Sequence, residues 1–343
     1  MKISTEPYYG HGYKTMLYRT LCKEHGVKLS HIGNSIMSKW PCVDIIHLHH
    51  PENITKSGGV LRRLYKVVLY MSRVTHAKWR GARLVWTVHN LQSHKKSQDV
   101  IDKLFKRLFL NQVDGVIHLS EVGKAMAMSS MPRLKVIKYH AVIQHGLFND
   151  LYGKQVPKEE ACRVLGLSND QRVLMFGNVE WYKGYDEVLR DFMEYDVGIK
   201  VLIAGRIKGA ELQNQILRYT EEDDRITVID RYIEDHEVPV ILSASDVVIM
   251  PYREGLNSGI LALGITYNKI VVSRSNPVFS ELVDALSYDA YYEVRDGRYW
   301  DEVIRHIADV RPRKTIVSRK LSWEKIASKT MQFYRRVADQ AVS

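Results

Sequence analysis

Short β-branched runs alternate with amphipathic segments along most of this chain, the pattern of parallel α/β units whose strands are buried on both faces. In the first half strands are predicted at "KIST", "VKLSHIG", "DIIHLHH", "RLVWTVHN", "GVIHLS" and "LKVIKYH", with helices near 12–25, 58–79, 98–111 and 121–129. In the second half "RVLMFG", "IKVLIAG", "RITVID", "DVVIM" and "KIVVS" repeat the pattern, with helices near 184–194, 210–220, 236–243 and 257–266. Two similar halves result. Between them "FNDLYGKQVPKEEACRVLGLSNDQ" is polar and interrupted by Gly and Pro, so it reads as an interdomain connection with a short helix and puts the boundary near 150–170. A final segment, "SWEKIASKTMQFYRRVADQ", groups Trp323, Ile326, Met331 and Tyr334 near one helical face. It could close either domain, packing back on the first being one of the two arrangements.

Length agrees with this division, because 343 residues exceed one ordinary core and suit two. The charge is unevenly placed. Residues 1–150 carry 23 Lys and Arg against 9 Asp and Glu, whereas residues 151–343 carry 27 against 30. The whole excess of +11 therefore belongs to the first half, which points that half toward a polyanion, either nucleic acid or an anionic membrane face. No run reaches about 18 uncharged apolar residues and the N-terminus lacks the apolar core of a signal peptide, so a cytosolic location is expected. Cys22, Cys42 and Cys162 have no paired spacing and are expected to be reduced, buried thiols.

In doubly wound sheets ligands bind beyond the carboxyl ends of the strands, and these ends are unusually polar here. They carry His49, His50 and Glu52; His89, Asn90 and His94; Gly177, Asn178, Lys183 and Gly184; Gly205 and Arg206; Arg231 and Tyr232; and Arg253, Glu254, Asn257, Ser258 and Gly259. The stretch "REGLNSG" opens a helix, where free N–H groups and the helix dipole favour an anion; it could equally be an ordinary cap by Asn257 or Ser258. Lys183–Gly184 adds a cation and a close-approach glycine that, with Arg206 and Arg253, could neutralise a diphosphate. Neither a P-loop nor a strict dinucleotide fingerprint is present. The fourteen histidines show no zinc spacing, so no metal is expected; each strand-end histidine is either an acid, base or hydroxyl-binding group or a structural hydrogen-bonder. Arg62, Arg63, Lys66 and Arg73 on one predicted helix, and Lys103, Lys106 and Arg107 on the next, lie on basic amphipathic segments. Such helices either dock on an anionic bilayer or pack their apolar face on their own sheet.

Taken in order, "DIIHLHHPE", "VWTVHNLQSH", "VLMFGNVEWYKGYDEVL", "LSASDVVIMPYREGLNSGILALGITYNKIVVS" and "SWEKIA" resemble the successive motifs of bacterial exopolysaccharide glycosyltransferases. The family most similar is that of the xanthan-type glycolipid β-mannosyltransferases, related to glycosyltransferase family 4. The resemblance runs from about Gly10 to Tyr334 and implies the α/β GT-B fold, two Rossmann-like domains with parallel sheets facing across a cleft. It implies an acceptor-binding, membrane-facing domain over 1–150, a nucleotide-sugar domain over 151–322 and a terminal helix over 323–343. Lys183 matches the family's diphosphate lysine, Glu254 the first glutamate of its E-x7-E pattern, Asn257–Gly259 its "NSG" turn, Arg231 to Ile233 its base-contacting loop, and His89 its donor-facing histidine. The acceptor side is then Tyr9, His11, Gly12, His50, Asn90 and His94. Two departures stand out. Ala262 replaces the second glutamate, and Glu180 stands where an arginine is frequent.

The reaction expected is transfer of mannose or another hexose from a GDP- or UDP-sugar to a polyprenyl-diphosphate-linked oligosaccharide, in exopolysaccharide or capsule assembly. It would run at the inner face of the cytoplasmic membrane, with no obligatory metal or cofactor and no nucleic acid partner. Catalytic candidates are His11, His49, Glu52, His89 and Glu254, with the base and the stereochemistry open. The alternatives are a nucleotide-sugar 2-epimerase of the same architecture and, from another class, a basic nucleic-acid-binding protein.

Overall fold

The computed structural model describes residues 1–5, 12–31, 42–56, 58–90, 99–149, 151–253, 255, 258–295, 297–307 and 321–339. The chain divides into two compact units, Met1–Gly146 with Leu321–Ser343, and Leu147–Lys320.

In the first unit, β1 (Lys2–Thr5), β2 (Lys28–His31), β3 (Ile45–Leu48), β4 (Arg83–Val88), β5 (Gly115–His118) and β6 (Tyr139–Val142) form a parallel sheet in the order β2-β1-β3-β4-β5-β6. The chain leaves β1 to one side and returns on its other side, so a switch point lies between β1 and β3. Its helices are α1 (Gly12–His25), α2 (Val60–Trp79), α3 (Val100–Leu110) and α4 (Glu121–Ser130). The last helix, α12 (Trp323–Ala338), packs on α1. It lies so close to the chain after β6 that a Cβ on Gly146 would stand 2.8 Å from the Trp323 ring.

The predicted strand "LKVIKYH" is shorter than expected. Pro132 opens a 3-10 turn, Pro132–Val136, over the buried Leu134, and His140 Nε2 lies 3.1 and 3.0 Å from the Leu134 and Ile137 carbonyls. Those carbonyls are thus satisfied by a side chain rather than by a ladder, and the strand begins only at Tyr139.

The second unit opens with α5 (Lys158–Leu165) and continues as β7 (Arg172–Phe176), α6 (Tyr185–Phe192), β8 (Lys200–Ala204), α7 (Ala210–Glu222), β9 (Ile226–Ile229), α8 (Val238–Ser243), β10 (Val247–Met250), α9 (Gly259–Thr266) and β11 (Ile270–Arg274). It ends with α10 (Pro277–Leu286), β12 (Tyr291–Val294) and α11 (Tyr299–Ile307). The sheet is again parallel, β12-β11-β10-β7-β8-β9, with its switch point between β7 and β10. β7 and β10 are buried along their whole length, as the apolar runs Val173–Phe176 and Val247–Met250 require. The last three elements were not legible as periodic runs: β12 is a half-buried edge strand of four residues, and α11 is fixed by Trp300, which packs at a tilt on Phe192 with ring centres 4.4 Å apart and donates to the Val188 carbonyl at 2.7 Å.

Candidate active site

At the second unit's switch point the chain leaves β7 through Gly177, whose φ of +83° suits glycine, and passes a 3-10 turn, Trp181–Lys183, to Gly184 at φ +69°. Gly184 packs on the exit of β10, where an added Cβ would lie 2.6 Å from the Pro251 carbonyl oxygen. This close approach turns Lys183 inward. Its Nζ donates to the Phe176 carbonyl at 3.1 Å and sits 5.3 Å from the Tyr252 ring centre and 5.7 Å from that of Tyr185. Burial pushes the ammonium down to about 7; Glu180 opposes the shift and Lys208 adds to it.

Gly177 joins this lysine to the start of α9, since a Cβ there would meet both Lys183 Nζ and Ile260 Cδ1 at 3.3 Å. Ser258 caps α9, accepting from Ile260 N at 3.2 Å and Leu261 N at 3.3 Å, so the capping role expected for "NSG" is present at this residue. Gly259 is the first residue of α9. Glu254 and Asn257 lie outside the described residues. Gly205, at φ +140°, abuts the Gly177 carbonyl and keeps the β7 and β8 exits in contact. Asn178 and Arg206 are exposed beside them.

One arginine needs correction. Arg253 was expected to face a diphosphate, but its guanidinium bonds to Asp186 at 3.1 Å, to Glu187 at 2.7 Å and to the Trp181 carbonyl, and it lies over the Trp181 ring. Two carboxylates meet its charge, and it braces the β10 exit on α6. Arg231 is held by Glu237 at 2.6 and 2.7 Å, with Tyr232 exposed and Ile233 buried beside it. Glu180, the residue in the arginine position, pairs with Lys208 at 2.8 Å.

The first unit gathers its candidates at the ends of β3 and β4. His47 and His49, two apart, share one face of the strand and are buried, as is His89. A chain of hydrogen-bonding distances links them: Thr87 Oγ1 to His47 Nε2 at 2.8 Å, His47 Nδ1 to Tyr18 at 2.9 Å, Tyr18 to His49 Nε2 at 2.8 Å, and His49 Nδ1 to His89 Nε2 at 3.0 Å. Tyr334, from α12, reaches His47 Nδ1 at 2.6 Å, and Thr5 donates to Tyr18 at 2.8 Å. Burial lowers His47 to about 3; burial, then His47, His89, His50 and Lys14 in turn, lower His49 far below the ordinary value. Sequence reasoning missed Tyr13, Tyr18 and Tyr334. The signal available was the His-x-His spacing itself, which demands buried hydroxyl partners.

His50 turns out of this row. Its ring stacks on His89 with centres 4.8 Å apart, and its Nδ1 lies 3.5 Å from Glu52 Oε1. Gly12 begins α1, and Tyr13 behind it meets the His89 ring edge-on at 5.2 Å. Asn90 follows His89 and is half-buried. Tyr9, His11 and His94 lie outside the described residues.

The basic helices differ from expectation. Arg63 was placed with the membrane-facing cations, yet it is buried and bonds to Asp99, the N-cap of α3, and to Asp102 at 3.1 Å. With Arg63 drawn inward, the α2 face that carries Val67, Val74 and Ala77 packs. Val60, Leu61, Leu64, Tyr65 and Val68 are exposed on α2, as are Val100, Leu104 and Leu108 on α3. Arg62, Lys103 and Arg107 are exposed with them, and Lys66, Arg73 and Lys106 are half-buried. Among the described residues no helix is long and apolar enough to cross a membrane, and no group of three or more His, Cys, Asp or Glu could hold a metal ion.

Two doubly wound parallel units with polar strand ends, taken with the relatives and solved structures that follow, show a GT-B fold and a glycosyltransferase. The family resemblance read from the motifs is also borne out. The GDP-mannose:glycolipid 4-beta-D-mannosyltransferase of Xanthomonas campestris pv. campestris is 25% identical over 277 residues, covering 79% of this chain and 72% of that one. No family model matches the chain. Among solved structures, sucrose-phosphate synthase from Thermosynechococcus elongatus superposes with a TM-score of 0.69 at 14% identity, covering all of both chains. HepE of Anabaena, in complex with UDP and glucose, superposes with a TM-score of 0.66 at 16% identity over 99% of each.

Proposed function

We propose that this protein transfers a mannosyl residue from GDP-mannose to a hydroxyl of a polyprenyl-diphosphate-linked glycan, with inversion to a β-linkage, on the inner face of the cytoplasmic membrane. The observation that carries the reading is Lys183, buried at the β7–β10 switch point beside Gly177, which also borders the first turn of α9. A buried ammonium with one carbonyl partner is poised to gain from a diphosphate. The name of the Xanthomonas relative supports GDP-mannose as donor, a glycolipid as acceptor and a β-linked product. Because the sugar of GDP-mannose is α-linked, a β-product requires inversion. Thermal shift with GDP, UDP, ADP and their sugars tests the donor: GDP and GDP-mannose should raise the unfolding temperature most. Stabilisation by UDP alone would replace the nucleotide, and no response to any diphosphate would refute the donor site.

The exposed apolar rows of α2 and α3 with their flanking cations support membrane docking of the first unit. Leu61→Asp with Val68→Asp should weaken binding to anionic vesicles about tenfold or more, since each change removes apolar contact and adds repulsion. Both side chains are exposed, at 82% and 60%, so the unfolding temperature should hold. Unchanged sedimentation with vesicles would exclude this face.

A further inference from the structure

Inverting transfer needs a group that takes the proton of the acceptor hydroxyl, and three imidazoles crowd the β3 and β4 ends. What stands behind each ring separates them. His49 has both nitrogens engaged, by Tyr18 and by His89, and is sealed from solvent. His89 has its Nε2 engaged by His49 at 3.0 Å and is buried. His50 is backed by a carboxylate: Glu52 Oε1 stands 3.5 Å from its Nδ1, and the ring keeps 18% of its side-chain surface exposed. A carboxylate behind a partly exposed imidazole is the arrangement that lets a histidine accept a proton from a hydroxyl.

We propose that His50 is the catalytic base, that Glu52 is the residue positioning it and balancing its charge, and that His89 remains neutral and acts by hydrogen bonding. The proposal rests on the mannosyl-transfer reading. His50 Nε2 takes the hydroxyl proton while the hydroxyl oxygen bonds to the anomeric carbon. The bond from that carbon to the diphosphate oxygen breaks, and its electron pair leaves with GDP. The proton remains on His50, facing Glu52.

The groups around the pair are consistent with this. His49 from the β3 exit and His89 from the β4 exit face His50, and Lys14 on α1 acts on His49. Lys56 from the same turn and Lys106 on α3 face Glu52. Burial pulls the Glu52 carboxyl upward, but the His50 ring, the Glu52 backbone and Lys56 outweigh it and leave it below the ordinary value, hence ionised at neutral pH.

The test is the pH profile of kcat/KM, with GDP-mannose and a lipid-linked acceptor extract, for the intact wild type and three variants whose GDP affinity is measured alongside. His50→Gln should lower kcat at least ~100-fold at unchanged GDP affinity and abolish the acidic limb. Glu52→Gln should keep the limb but move it to lower pH. His89→Asn should slow transfer and leave the limb where it was. A limb that persists in His50→Gln, or vanishes in His89→Asn, overturns the assignment of the base alone. A wild type that binds GDP but transfers nothing overturns the mannosyl-transfer reading, and the base with it.

Discussion

Lys183→Ala should weaken binding of GDP about 100-fold while leaving guanosine almost unaffected, because the lost contact is to the diphosphate alone. Removing one partner of a buried, charge-assisted hydrogen bond costs roughly 2–5 kcal/mol, and about 3 corresponds to that factor. The same residue sets a pH dependence. In the free protein burial holds Lys183 at about 7, so it is charged below that pH and neutral above it. A bound diphosphate favours the charged form and raises its affinity for the proton. GDP affinity should therefore be flat below pH 7 and fall by up to about tenfold per unit above it, with close to one proton taken up per nucleotide near pH 8. Calorimetry in buffers of different ionisation enthalpy measures that proton directly. Equal weakening of GDP and guanosine, or no proton uptake, would argue that Lys183 only fills the core.

Gly184→Ala should be nearly as damaging, through the backbone. Gly184 combines a left-handed φ of +69° with a carbonyl 2.6 Å from where Cβ would stand, so the variant must strain its own backbone and push Pro251 away. A cost of about 3 kcal/mol is expected, roughly 10 °C in the unfolding temperature, with GDP binding lost because the β7 and β10 exits separate. Gly166→Ala is the control. Gly166 has nearly the same φ, +67°, at the end of α5, but nothing lies within 4 Å, so only about 1 kcal/mol and no loss of GDP affinity are expected. Equal losses in both variants would show that conformation, not close approach, governs Gly184.

Most of the architecture was legible because a parallel sheet buries both faces of its strands, which makes "RVLMF" and "VVIM" unmistakable runs. The strand-end rule then singled out Gly177, Lys183, Gly184, His50 and His89 as candidates without any structure. What stayed hidden is partnership. Arg253 reads as a phosphate cation until Asp186 and Glu187, which precede it by more than sixty residues, fold against it. Arg63 reads as a surface charge until Asp99 caps α3 beside it and draws it inward. Tyr18 and Tyr334 come from opposite ends of the chain to the same histidine, a contact with no local signal in sequence. Charge pairs and hydrogen-bond chains depend on tertiary meetings, whereas periodicity records only burial.

The central claim is mannosyl transfer, and the most direct measurement is incubation of the intact wild type with GDP-mannose and a polyprenyl-linked glycan extract, followed by NMR of the product's anomeric centre. GDP release matched one for one by a new β-mannosyl linkage on the lipid-linked glycan is the expected result. An α-linkage, an epimerised sugar nucleotide without acceptor, or no transfer from any nucleotide sugar would contradict it.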